Sequence, residues 1–153
     1  MSTPLQRLVE LGLTLPPVAA PVANYLPYAR TGNLLFIAGN VSRDVDGKTL
    51  PGKLGETMSV EEGYAAARSA GLYALAAMND AAGSLDNVAR IVRMLGMVNC
   101  TPDFGGQPQV INGASDLLGE VMGDAGRHSR AAVGMASLPA GAAVEIEVVC
   151  ELG

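Results

Sequence analysis

Apolar positions recur at helical spacing in two long stretches of this chain and alternate or run together in the segments between them, and that change of period predicts the order of elements. Near the start, Leu5, Leu8 and Val9 form a short stripe behind Thr3 and Pro4, a hydroxyl cap followed by proline at the first helical position. Residues 4–13 therefore read as a helix. Leu15-Pro16-Pro17-Val18-Ala19-Ala20-Pro21 forbids helix and reads as an extended connector. Residues 23–30 and 34–40 read as two strands joined through Thr31-Gly32-Asn33. The second is almost continuously apolar, which predicts cover on both faces. The stretch 43–56 carries charges throughout, with Asp46-Gly47 and Pro51-Gly52, and reads as a surface excursion long enough to cover a site.

Ser59-Val60-Glu61-Glu62 is a capping box, and the helix it opens runs to about Asp80. Its expected buried face (Tyr64, Ala67, Gly71, Ala74, Leu75, Met78) is mostly small, which lets a helix lie close on a sheet. Residues 88–99 read as a strand with Val88, Val92, Met94 and Val98 on one side and Ile91, Leu95 and Met97 on the other. A strand apolar on two sides needs two covers: the helices, and in a chain this small a second subunit. Pro108 begins another helix, with Val110, Ile111, Ala114, Leu117, Leu118, Val121 and Met122 at helical spacing, stopped by residues 123–126. Two strands about Leu138-Pro139-Ala140-Gly141 close the chain as an expected hairpin. The order β-β-α-β-α-β-β predicts an α+β sheet with both helices on one face.

Composition narrows the function. The 153 residues are 49% hydrophobic and 16% charged, so one globular domain is expected rather than a disordered chain. A net charge of −5 without a basic stripe argues against nucleic acid as a partner. No apolar run reaches the length of a membrane span, and the N-terminus lacks the apolar core of a secretory signal, so a cytoplasmic protein is expected. Cys100 and Cys150 make no metal-ligand spacing and read as buried thiols; no metal site is predicted.

Candidate chemistry concentrates at the end of the chain. Arg130, Ala132, Gly134 and Ala136 share one face of a strand, so a single guanidinium stands beside open space and could seat a small carboxylate. Its alternative role is an ion pair with Glu145, Glu147 or Glu151 across the hairpin. On hairpin geometry Glu145 falls about five residues, or ~17 Å, off register from Arg130. The two meet more naturally across a subunit boundary. Glu145 could orient a water or carry a proton, and otherwise reads as a solvated residue of an alternating strand. His128 would point the same way as Arg130 and titrates near neutrality, but without an acidic partner in view it reads as a strand-entry residue, a possible member of the site.

Ser129-Arg130-Ala131-Ala132-Val133, then Leu138-Pro139, then Val144-Glu145-Ile146-Glu147 resembles the closing signature of the RidA/YjgF family of reactive enamine/imine deaminases. The fifteen-residue step from Arg130 to Glu145 matches that family's spacing between its carboxylate-binding arginine and its water-positioning glutamate. By the same resemblance Tyr25, Gly39 and Asn112 fall at substrate-binding positions. The resemblance covers about residues 23–152, leaving 1–22 as an N-terminal helix and connector ahead of a single domain at 23–153. It implies a chorismate-mutase-like fold, a homotrimeric barrel with clefts between subunits, and hydrolytic deamination of imines derived from amino acids, with no cofactor. The same clefts could instead serve a non-catalytic module that binds a small carboxylate metabolite. Ala132 stands where close relatives often carry cysteine, Ala38-Gly39-Asn40 replaces Ser-Gly-Gln, and Ala23-Asn24-Tyr25 replaces Gly-Pro-Tyr, which places the chain in a divergent branch, often labelled L-PSP-like endoribonuclease.

Overall fold

Reciprocal caps start two of the helices where the sequence places them. Thr3 and Gln6 exchange side-chain and backbone hydrogen bonds, as do Ser59 and Glu62. The computed structural model describes residues 1–18, 20–21 and 23–153. The elements run α1 (Pro4–Glu10), β1 (Tyr28–Thr31), β2 (Leu34–Val41), α2 (Val60–Ala82), β3 (Val88–Asn99), α3 (Gln107–Met122), β4 (Ser129–Met135) and β5 (Val144–Leu152). Ala19 and Val22, inside the expected N-terminal helix-and-connector segment, lie outside the described residues. α1 stops short of residue 13, with Gly12 just beyond it at φ 67°. β1 begins only at Tyr28, so the start of the expected strand at 23–27 is irregular chain. No helix among the described residues is long and apolar enough to cross a membrane.

The five strands form one mixed sheet in the order β1-β2-β5-β3-β4. This corrects the expected closing hairpin. β5 pairs antiparallel with both β2 and β3, while β4 lies parallel to β3 at the edge. Burial explains the exchange: Val144, Ile146, Val148 and Cys150 are each 1% exposed or less, so β5 gains most from a central place, whereas the small residues of β4 tolerate an edge. The turn between them is a short 3-10 segment, Pro139–Gly141, with Ala140 at φ 54°.

α2 packs on β2 and β5, α3 on β3 and β4, and the two helices pack on each other, so both cover one face. Gly113 of α3 lies so close to α2 that a Cβ there would fall on the Tyr64 carbonyl. Register shifts in β3 at 88/90 and 91/93 move Ile91 to the helix side with Met94 and Val98, correcting the faces expected from simple alternation. The other face carries rows that read Phe36–Val149–Arg93, Glu147–Leu95–Ala131 and Glu145–Met97–Val133. β2 is thus covered on one side only, with Phe36 45% exposed.

Candidate functional site

Glu145 is the second residue of β5, on the face away from the helices and opposite Val41 of β2. Between Ile37 and Asn40 the β2 register slips, and Gly39 sits in that irregularity. A Cβ on Gly39 would stand 2.7 Å from Glu145 Oε2, so a residue without one is what leaves room for the carboxylate. Burial raises the Glu145 pKa above the ordinary carboxylate value, and the neighbouring Glu147 adds to the rise. Around it lies a crevice of about 290 Å³ lined by Tyr25, Gly39, Arg43 and Glu145, with Pro21 of the connector and Pro139 of the last turn. Tyr25 stands half-exposed there.

Arg130, Asn112 and His128 gather elsewhere. Arg130 is in register with Met94 and, through it, Val148, which puts it on the helix side of the edge strand. Its Nη1 donates to Ser115 Oγ at 3.0 Å and its Nη2 to the Pro108 carbonyl at 3.2 Å. His128 Nδ1 lies 2.6 Å from the Gly126 carbonyl, which can only accept, so Nδ1 carries the proton. Nε2 then accepts from the Ser115 hydroxyl at 3.0 Å, and the chain His128–Ser115–Arg130 orients the guanidinium. Asn112 is exposed on α3, one turn from both Pro108 and Ser115.

The alternative ion-pair role for Arg130 is absent. Glu151 pairs with Arg90 at 2.6 Å, and among the described residues no carboxylate lies within 4 Å of Arg130. The six predicted residues therefore form two groups, three in the Glu145 crevice and three around Arg130, with the sheet between them in one chain. Sequence reasoning missed Arg43 and Ser115. Ser115 had a usable signal, one turn after Asn112 on the same helix face; Arg43 looked like one charge among many in a loop.

Both cysteines are buried thiols, and burial pushes Cys150 up to about 11. Among the described residues no group of three or more His, Cys, Asp or Glu is placed to hold a metal ion.

The family model described as "YjgF/chorismate_mutase-like, putative endoribonuclease" matches residues 5–152. "Protein TCP17" of Trypanosoma cruzi is 44% identical over 147 residues, covering 95% of this chain and 92% of that protein. The crystal structure of a "putative endoribonuclease" from Shewanella oneidensis MR-1 is 40% identical, covers 99% of this chain and 100% of its own, and superposes with a TM-score of 0.94. RidA from an Antarctic Psychrobacter, 22% identical over 88% of this chain and 94% of that one, shares the fold at a TM-score of 0.59. With the family match spanning nearly the whole chain and two relatives at 40% identity or above, this chain belongs to the YjgF/chorismate_mutase-like family.

Proposed function

We propose that this protein hydrolyses reactive imines and enamines derived from amino acids, working as a homotrimer in which the Glu145 crevice of one chain faces the Arg130 edge of the next. The observation that carries this reading is the convergence of Tyr25, Gly39 and a half-buried Glu145 on one crevice, while an oriented Arg130 with no acidic partner waits on a different edge of the same chain. The exposed apolar positions Phe36 and Val133 on the sheet face without helices support burial against other copies.

In this reaction Arg130 donates to the substrate carboxylate and fixes the imine carbon beside Glu145. Glu145 accepts a proton as water oxygen adds to that carbon, and the imine nitrogen gains a proton. The carbon–nitrogen bond of the resulting carbinolamine then breaks. Glu145 carries the hydroxyl proton to the leaving nitrogen, so ammonia departs as the oxygen becomes the ketone. An enamine is first protonated at carbon to give the imine. Water and a proton carrier suffice, so the step calls for no cofactor. Net charge −5 and a lone histidine lend no support to RNA cleavage by paired histidines. Two buried thiols suit a reducing, cytoplasmic setting.

The test is ammonia release from 2-aminoacrylate generated in situ. Wild-type protein accelerates it, and Arg130→Ala lowers kcat/KM roughly 10- to 100-fold. Equal release with and without protein would make the cleft a carboxylate-binding module instead.

A further inference from the structure

Arg43 lines the Glu145 crevice and brings to it a cation that hydrolysis of a simple imino acid does not use. Arg43 lies two residues past β2, and its backbone is tied to α2: its N–H donates to Ser69 Oγ at 3.1 Å, and its carbonyl accepts the Ser69 hydroxyl at 2.6 Å. The side chain lies over Tyr73, with Cζ 5.2 Å from the ring centroid, and Nη1 donates to the Gly47 carbonyl at 3.0 Å. These contacts fix the group yet use one of its five N–H donors. Nε is buried and closed to a ligand, so the donors left to meet one are on Nη1 and Nη2, and no carboxylate of the described residues lies within 4 Å. Among those residues Arg43 is the only cation lining the crevice. A strut that closed the 44–48 turn would need no spare donors beside a concave site; recognition of a carboxylate does.

Position says which end of a ligand it meets. Val41 is opposite Glu145, and Arg43 is two residues farther, about 7 Å along extended chain. Its charge addresses a different part of a bound molecule from the carbon beside Glu145. In the reaction above, Arg130 of a neighbouring chain takes the carboxylate adjoining that carbon. Arg43 is left for a second anion.

We propose that the substrate is dianionic, a 2-imino acid whose side chain ends in another carboxylate, and that Arg43 binds that distal group. The reaction rests on the imine-hydrolysis reading; the second anion does not. Calorimetry on the full chain with two product-like probes, 2-oxoglutarate and 2-oxobutanoate, tests it directly. Wild type binds the dicarboxylate about tenfold more tightly. Arg43→Gln brings the ratio to about one, while Arg43→Lys keeps part of the preference. Because the ratio is read within one variant, partial unfolding of that variant does not alter it. Equal affinities in wild type, an unchanged ratio in Arg43→Gln, or binding of neither probe at millimolar concentration overturns the inference. A protein that prefers 2-oxoglutarate but releases no ammonia from the imine of either probe sinks the deaminase reading alone. One that deaminates 2-aminoacrylate yet binds both acids equally sinks only the second anion.

Discussion

A carboxylate whose ionised form is disfavoured by burial leaves a mark on stability as well as on catalysis. The folded pKa of Glu145 lies above its ordinary value, because of burial first and Glu147 second. The protonated folded form is thus the favoured one. Its contribution is fully present below the ordinary carboxylate pKa and is lost as pH rises through the raised value, so at neutrality the ionised group is a liability. Glu145→Gln is expected to melt above wild type at pH 7, by ~0.5 kcal/mol at most because the group is partly hydrated. That gain fades as pH falls through the raised value and is gone below the ordinary carboxylate pKa, while deamination is lost. Melts from pH 4 to 8 check it, and a gain that persisted at pH 4 would show that ionisation is not its source. At this scale Tyr25, Gly39 and Glu145 were legible because motif spacing picks out types of residue that act together. Arg43 was not, because its meaning comes from the slip in β2 and the grip of Ser69, which bring a loop charge back over α2.

The elements carry a sharper lesson about local and long-range information. Alternation in Val144–Leu152 told which side chains face the core, and burial agrees from Val144 to Cys150. It could not tell which strands flank it. The Leu138–Gly141 turn invited a hairpin, yet a crossover through α3 lays β4 parallel to β3 and frees the centre for β5. Helix contacts were read better, since small residues announce close approach. Two glycines of α3 test that reading. A Cβ at Gly113 would meet the Tyr64 carbonyl, a backbone atom that cannot rotate away, whereas Gly119 has open space within 4 Å. Gly113→Ala is expected to cost about 2 kcal/mol. Gly119→Ala is expected to gain about 0.5 kcal/mol, from helix propensity. Denaturant midpoints at constant m value measure both. A Gly113→Ala protein as stable as wild type would mean that α2 and α3 do not touch there.

At the scale of the whole molecule, the two halves of the site lie on different faces of one sheet, three register positions apart: Glu145 is aligned with Met97 and Val133, Arg130 with Met94 and Val148. No rotamer carries one side chain through the sheet to the other, so the proposed reaction calls for Glu145 and Arg130 from two chains. The proposed closed trimer would supply this, each copy presenting the Glu145 crevice to one neighbour and the Arg130 edge to the other. Complementation tests the arrangement without a structure of the assembly. Arg130→Ala and Glu145→Gln proteins are each expected to keep about a tenth of wild-type activity or less alone. Refolded together in equal amounts into mixed trimers, they create interfaces where an intact Arg130 from one parent meets an intact Glu145 from the other. With random mixing, that ordered pairing arises at about one interface in four. Deaminase activity near a quarter of wild type is therefore expected in the mixture, well above that of either parent. If both groups acted within one chain, every chain in the mixture would carry a broken site, and mixing would restore nothing.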